Sequence, residues 1–242
     1  MSWEEVQNAE RDAVVLIPTA SYRQHGPHLP LTTDHCIITA LVESLEKEHP
    51  KEILLLPTLT LGASEAHCTF SGTISFEPET TLTVLKETIL SLIEHQFRKF
   101  YVLSSSSAES ELCTIGLRDL KKNNPNISLC SNFLSNLAST HLEKALIGPL
   151  KKVGHACEFE TSLMLHLYPS NVRKDKIKDE FLASQPSIAG LVINHNEISE
   201  YGVLGYPSFA RPETGKLFFE DMHKALRKDF LAFHEGYIFS TP

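Results

Sequence analysis

The chain lacks paired cysteines. Its five cysteines are scattered over 242 residues, and no two of them form a Cys-x-x-Cys pair. A zinc site built from thiolates therefore has no support in this sequence. An odd, unclustered set of cysteines in a chain of this length is typical of reduced thiols, so we expect a cytoplasmic protein. The five are Cys36, Cys68, Cys113, Cys130 and Cys157.

The chain is also short of positive charge and of long apolar runs. Lysine and arginine total 22 against 30 aspartates and glutamates, which gives a formal net charge of -8. This balance argues against nucleic acid or an anionic membrane as a partner. No apolar run approaches the roughly 20 residues of a membrane span. Because Met1 is followed by neither a basic region nor a long apolar one, we expect no secretory signal.

Short apolar strands alternate with amphipathic helices along the chain. The apolar runs predict strands over residues 13–18, 53–56, 100–103 and 127–130. Helical spacing predicts a helix ending at Glu48 and further helices over 79–99, 110–122, 132–145, 159–168 and 212–237. The alternation predicts an α/β fold with a mostly parallel sheet covered on both faces, in a single domain over residues 1–242. Ligands of such folds bind at the carboxyl ends of the strands.

The loop after the first strand concentrates candidate metal ligands. His25, His28 and Asp34 lie in or just after a segment whose glycine and two prolines exclude a regular helix. Imidazole and carboxylate side chains on a rigid loop can bind a metal, although His28 could equally only hydrogen-bond the loop. Arg23 stands at the head of this segment. A guanidinium roughly 4 Å from a divalent cation repels it by several kcal/mol, so Arg23 conflicts with a metal there.

Two further polar segments follow predicted strands or begin helices. One contains His155, Glu158 and Glu160 at the start of an apolar helix, where a carboxylate either favours the helix dipole or enters a cleft as a ligand. The other is Ser64-Glu65-Ala66-His67, which reads as a substrate-facing rim or simply as a structured loop. A run of four serines at 104–107 follows another strand. These segments are expected to meet at one edge of the sheet.

Taken in order, these motifs resemble the creatininase (creatinine amidohydrolase) family over nearly the whole chain. Residues 19–34 resemble its Gly-Ser-x-Glu-Gln-His-Gly-Pro-His-Leu-Pro-Leu-x-Thr-Asp pattern. Ser64, His67 and residues 70–75 match its Ser-x-x-His and Phe-x-Gly-Thr-x-Ser turn. Residues 155–165 match His-Ala-Gly-Glu-x-Glu-Thr-Ser-Leu-Met-Leu, with Cys157 in place of glycine, and residues 202–207 resemble a late Gly-Val-x-Gly-Asp-Pro turn.

The resemblance implies an α/β/α sandwich, a homo-oligomer and two divalent metals that activate water for attack on a cyclic or linear amide. His25 matches a ligand of one metal, and Asp34 matches the carboxylate that bridges both. Glu160 matches an acidic residue of the site, and His155 matches a histidine beside the substrate.

The departures from the family pattern affect the ligands of one of the two metals. Arg23 stands where the family has a ligand glutamate, Ser106 where it has a ligand histidine, and Ala108 where creatininase has a second glutamate. The sequence therefore predicts a site that binds at most one metal.

Two hypotheses follow. In the first, which we favour, the chain is an amidohydrolase acting on a non-peptide or cyclic C–N bond of a small molecule. Its metal ligands are His25, Asp34 and Glu160, around one Zn, Mn or Fe ion. The catalytic residues are His155, Glu158 and Arg23, and the substrate contacts are His67, Ser106 and His28. In the second, the chain is a metal-free, inactive binding or assembly protein. A fainter possibility uses Ser106 as a nucleophile.

Overall fold

The computed structural model describes residues 1–60, 62–138, 142–180 and 191–236. The strands are β1 (Val14–Ala20), β2 (Ile53–Leu55), β3 (Leu59–Thr60), β4 (Lys99–Ser104) and β5 (Ser128–Phe133). The helices are α1 (Trp3–Asn8), α2 (Thr33–Glu48), α3 (Pro78–Glu94), α4 (Ser107–Asn123), α5 (Leu134–Leu137), α6 (Leu142–Ala145), α7 (Glu158–Leu167) and α8 (Pro212–His234). Short 3-10 turns over Glu65–His67 and His195–Glu197 come close to the site described below.

The described strands form one parallel sheet. Its order is β2-β1-β4-β5, and β3 pairs with the end of β1 on the β2 side. β1 lies in register with β2 from Val14 opposite Ile53 and with β4 from Val14 opposite Lys99. Parallel strands of this kind need crossover helices, and the chain supplies one between successive long strands. The mostly parallel sheet predicted from the sequence is confirmed.

Helices cover both faces of the sheet, so β1 is buried on both sides. Its side chains alternate between two apolar clusters: Val14 and Leu16 belong to one, and Val15 and Ile17 to the other. The first cluster packs α2, α7 and α8 on one face, and the second packs α3 and α4 on the opposite face. Burial on both faces explains why this strand is a continuous apolar run rather than an alternating one. The three-layer α/β/α sandwich is confirmed.

Two predicted helices end differently in the structure. The helix predicted over 79–99 ends at Glu94 because Gln96 adopts a left-handed conformation with φ +71° and Phe97 turns into the core. The helix predicted over 132–145 is replaced by the end of β5 and the short helices α5 and α6, with residues 139–141 between them outside the described part. Helical spacing of apolar residues alone could not reveal these breaks, because tertiary packing decides them.

Along the parts of the chain that are described, no helix combines the length and the apolar character needed to cross a membrane.

Candidate active site

The loop after β1 carries Arg23 and His25 into the interior, and its shape depends on Gly26. Gly26 has φ +65°, and a Cβ at this position would lie 2.7 Å from Val203 Cγ2, so only glycine fits. The Gly26 N–H donates a hydrogen bond to Gln24 Oε1 at 2.8 Å. This bond fixes the Gln24 amide, so its Nε2 donates to His67 Nδ1 at 2.9 Å.

Four charged or ionisable side chains meet at the carboxyl end of β1. The His25 Nδ1 lies 3.1 Å from the Arg23 carbonyl oxygen, and a carbonyl can only accept, so Nδ1 carries a proton. His25 Nε2 then faces Asp34 Oδ1 at 3.3 Å and Glu160 Oε1 at 3.8 Å. Arg23 Nε lies 2.9 Å from the second oxygen, Oδ2, of Asp34. A ring nitrogen facing two carboxylates requires a positive charge between them, either a proton or a metal ion.

The pKa shifts in this cluster follow from burial and from the opposed charges. Burial alone would raise the pKa of Asp34, but Arg23 and His25 outweigh it and hold that pKa below its usual value. Burial would lower the pKa of His25, but the carboxylates of Asp34 and Glu160 raise it. Burial raises the pKa of Glu160, with Asp34 adding to the effect. The buried carboxylates of this cluster therefore stay ionised only while a positive charge lies near them.

Asp34 and Glu160 each place one carboxylate oxygen close to His25 Nε2, where a divalent metal could be bound. In a tetrahedral site with bonds of about 2.0–2.1 Å, neighbouring donor atoms lie about 3.3 Å apart. His25 Nε2 and Asp34 Oδ1 are separated by 3.3 Å, and Glu160 Oε1 lies 3.8 Å from the same nitrogen. His25 Nε2 and Glu160 Oε2 are buried and have no hydrogen-bond partner among the described residues. One donor atom each from His25, His155 and Glu160 also lie within 4.8 Å of one another, a group that does not include Asp34.

Glu109, in the first turn of α4, is a site residue that the sequence analysis missed. Its carboxylate is 1% exposed and accepts hydrogen bonds from Ser21 Oγ at 3.0 Å and Ser105 Oγ at 2.7 Å. Burial, with Asp34 nearby, raises the pKa of Glu109 to about 7. The spacing of Ser106 and Glu109 is that of a capping box, and this signal could have placed Glu109 at a helix start beside the site.

Three histidine rings pack against one another beside the charged cluster. The ring centroids of His67, His155 and His195 lie 4.4–4.9 Å apart, and the His155 ring is 4.4 Å from that of His25. Burial, with the positive charges of Arg23 and His25 adding, lowers the pKa of His67 to about 2 and that of His195 to about 4. The pKa of His155 is lowered well below its ordinary value for the same reasons. All three rings are therefore neutral at neutral pH.

Hydrogen bonds fix the tautomers of two of these rings. His155 Nε2 donates to the Gln24 carbonyl oxygen at 2.8 Å, which leaves Nδ1 as an acceptor. His67 accepts at Nδ1, so its proton lies on Nε2 and neither nitrogen is free to bind a metal. Donor atoms of the three histidines lie within 4.8 Å of one another. The tautomers of His67 and His155, however, favour hydrogen bonding by these rings over metal binding. His195 was missed by the sequence analysis, although Asn194 and Glu197 form a capping box that marks its turn.

A cavity of about 320 Å³ opens over this constellation. Of the residues predicted for the site, Arg23, Asp34, His67, Ser106, His155 and Glu160 line it, and His25 lies buried directly beneath. Ser106 also caps α4 by accepting a hydrogen bond from the Glu109 N–H at 3.4 Å. A larger cavity of about 610 Å³ runs along β5 between α4 and α8, and it is lined by none of these side chains.

Two predicted site residues lie outside the cavity. The fully buried His28 places Nε2 2.9 Å from Thr161 Oγ1, so it ties the β1 loop to α7 instead of facing a substrate. The Glu158 carboxylate accepts hydrogen bonds from the N–H groups of Ile147 and Gly148 at 2.8 and 2.9 Å. Because each of its oxygens accepts a backbone N–H and Glu158 does not line the cavity, we now expect a structural role for Glu158 instead of proton transfer. The substrate role for His28 is revised in the same way.

We expect Glu158→Ala to destabilise the protein by about 2–3 kcal/mol, because it leaves two backbone N–H groups without their acceptor. Metal content should not change, since Glu158 lies away from the cluster. Urea unfolding and elemental analysis of the same preparation test both statements. Glu87→Ala, on the exposed face of α3, is the matched control and should be neutral. A loss of metal in the Glu158 variant would contradict the structural role.

Comparisons with known proteins point to one family. The family model described as creatinine amidohydrolase matches residues 1–230. A mycofactocin precursor peptide peptidase of Mycobacterium tuberculosis is 29% identical over 222 residues, covering 86% of this chain and 80% of the relative. A creatinine amidohydrolase of Pseudomonas putida is 25% identical over 251 residues, covering 95% of each.

Solved structures share the fold. A crystal structure of creatininase superposes with a TM-score of 0.85 at 21% identity and covers 99% of this chain and 97% of its own. A manganese form of creatininase superposes with a TM-score of 0.82 and a zinc–zinc form with 0.81, both at 22% identity. The manganese form covers 95% of each chain, and the zinc–zinc form covers 95% of this chain and 94% of its own. Because the family model matches almost the whole chain and the solved structures of creatininase share its fold, this protein belongs to the creatininase family of amidohydrolases.

Proposed function

We propose that this protein hydrolyses a C–N amide bond with one divalent metal bound by His25, Asp34 and Glu160. The observation that carries the proposal is that the two oxygens of the Asp34 carboxylate face different partners. Its Oδ1 lies 3.3 Å from His25 Nε2, on the side of the donor set, and its Oδ2 lies 2.9 Å from Arg23 Nε. The family resemblance implies that this carboxylate bridges two metals. In this chain a guanidinium takes the position of the second metal.

The residues of the chain have separate roles in this reaction. A bound divalent metal supplies Lewis acidity and lowers the pKa of water to near neutral pH. His155 accepts the proton of the attacking water at Nδ1, because its Nε2 proton is held by the Gln24 carbonyl and its ring is neutral. Arg23 keeps Asp34 ionised, and its charge faces the cavity.

The substrate class we propose is a small non-peptide or cyclic amide. The cavity of about 320 Å³ lies at the small end of the range for ligand pockets, which supports a compact substrate. The relatives named as peptide peptidases make a peptide the competing substrate. Hydrolysis of creatinine and of other cyclic amides, measured beside hydrolysis of a short peptide, tests the proposal. Peptide cleavage without cleavage of any cyclic amide would contradict this substrate class.

Protein purified without chelator and then loaded with Zn or Mn should contain about one metal per chain, not two, because the two candidate donor groups among the described residues share His155. His25→Ala should bring the metal content close to zero. His95→Ala, an exposed histidine at the end of α3, is the matched control and should retain the metal. Elemental analysis and calorimetric titration provide the readout. A native content below about 0.1 per chain that does not rise on loading would reject the metal enzyme.

One observation favours a second candidate, a metal-free binding protein. Arg23 and a protonated His25 would together balance the charges of Asp34 and Glu160 without any metal, and the raised pKa of His25 is in accord with this. The same elemental analysis distinguishes the two candidates. We place the metal enzyme first because the neutral Nδ1 of His155 beside the cluster has no use in an inert protein.

We also propose a cytoplasmic homo-oligomer. All five cysteines are free, which suits a reducing compartment. Large apolar side chains such as Trp3 and Ile115 are 74% and 62% exposed, which supports a surface that another copy covers.

A further inference from the structure

The outer edge of the Arg23 guanidinium has no partner among the described residues. Arg23 is 9% exposed, and its one ion pair in this part of the chain uses Nε, which contacts Asp34 Oδ2 at 2.9 Å. The terminal nitrogens Nη1 and Nη2 make no hydrogen bond to the described protein, and the side chain lines the cavity. Nη1 and Nη2 are not among the buried unpartnered atoms of the described residues, so they reach the cavity, where an anionic ligand could accept charge-assisted hydrogen bonds from them.

The first turn of α4 faces the same cavity with further free donors. α4 is 17 residues long, and its N-terminus carries the positive end of the helix dipole. The Glu109 N–H is capped by Ser106 Oγ at 3.4 Å. The N–H groups of Ser107 and Ala108 have no acceptor among the described residues, and both residues line the cavity. Backbone N–H groups at a helix start and a guanidinium fork are complementary to the same ligand, an oxyanion.

The acidic side chains nearby do not occupy these donors. Asp34 directs its oxygens at Arg23 Nε and at His25 Nε2. Glu109 accepts from the hydroxyls of Ser21 and Ser105. Glu160, the third carboxylate near Arg23, faces His25 Nε2 through Oε1 at 3.8 Å. Among the described residues none of the three carboxylates is hydrogen-bonded to Nη1 or Nη2, which leaves the outer edge of Arg23 to the cavity.

We infer that Arg23 and the first turn of α4 bind a carboxylate of the substrate. The substrate is then a small amide that also carries a free carboxylate, placed so that the carboxylate reaches Arg23 and Ser107 while the amide lies over His25 and His155. The position of the amide rests on the proposed function. Binding of the carboxylate does not depend on it.

The test measures binding instead of turnover. N-acetylglycine and N-acetylglycinamide differ only in carboxylate against neutral amide, and calorimetry compares their affinity for the full protein. We expect the acid to bind at least about tenfold more tightly, since the amide cannot form charge-assisted bonds to the guanidinium. Arg23 itself is a poor first target, because its removal leaves Asp34 buried without a partner and could prevent folding.

Ser107→Pro is the sharper variant. Ser107 is the first residue of α4, where proline is compatible with the helix, and Ser106 already has the extended backbone (φ -133°, ψ 162°) that a following proline requires. The substitution removes one N–H donor and should weaken N-acetylglycine binding about tenfold. Ser107→Ala keeps that N–H and is the matched control, with affinity expected near the native value. Circular dichroism confirms that α4 is intact in both.

Three outcomes would overturn the inference. These are equal affinity for the acid and the amide, equal loss in the proline and alanine variants, and binding of inorganic phosphate with none of N-acetylglycine, which would indicate a site for a free inorganic anion. A protein that binds the acid as expected but hydrolyses no amide would reject the proposed function and leave the carboxylate site standing.

Discussion

Asp34→Asn is expected to lower the free energy of unfolding by about 3–5 kcal/mol, because it leaves the Arg23 guanidinium buried without its counter-charge. Arg23 and Asp34 lie 2.9 Å apart and both are almost completely buried. Removing one partner of such a buried ion pair strongly destabilises the fold. Metal binding should be lost in the same variant, since Asp34 also faces His25. Urea unfolding, with and without chelator, separates the loss of the ion pair from the loss of the metal.

A paired replacement provides the control for this prediction. Arg23→Met with Asp34→Leu removes both charges and should recover much of the stability, because a well-packed apolar pair replaces a buried ion pair at little net cost. If the double variant is as unstable as Asp34→Asn, the destabilisation does not come from an unpaired charge.

The pH dependence follows from the lowered pKa of Asp34. An unfolded aspartate has a pKa of about 3.9, and the folded value lies below that. The stabilising contribution of Asp34 is therefore fully present above about pH 4 and is lost as the pH falls through the folded pKa. The native protein and the Asp34→Asn variant should differ most in stability at neutral pH and should approach each other in acid.

Restoring the family residues at two positions is expected to recruit a second metal. Arg23→Glu with Ser106→His replaces the guanidinium by a carboxylate and a hydroxyl by an imidazole at the cavity wall. Asp34 Oδ2, which now faces Arg23 Nε, then becomes free to bridge. The metal content measured by elemental analysis should rise from about one to about two metals per chain. Bound metal should stabilise the double variant more than the native protein, because four carboxylates now share the site.

A matched control separates the effect of the new ligands on the metal content from the effect of removing the arginine. Arg23→Gln with Ser106→Asn changes the same positions to neutral side chains of similar size and should leave the metal content at about one. A folded Arg23→Glu, Ser106→His variant that binds no extra metal would show that Arg23 does not stand where a second metal would bind.

Much of this architecture could be predicted from local patterns. The run from Val14 to Ile17 is apolar at every position because the strand is covered on both faces, and this indicated a parallel sheet. The helix before Glu48 was recognisable because its buried positions repeat at helical spacing. The break at Gln96 was not recognisable, since a left-handed residue that is not glycine leaves no mark in the pattern.

The sequence by itself determined the family motifs, the layered fold and the departures from the family pattern at positions 23, 106 and 108, because each of these is written in residue type and spacing. Only the tertiary structure decided how the remaining charges pair. His195 and Glu109 come from segments far apart in the chain, and the direction in which the carboxylates of Glu158 and Asp34 point depends on which atoms surround them. Arg23, which the sequence presented as a conflict with a metal, is in the structure the partner of one oxygen of Asp34, while the other oxygen faces His25. Charge pairing depends on distances of a few ångströms, and only the folded chain sets those distances.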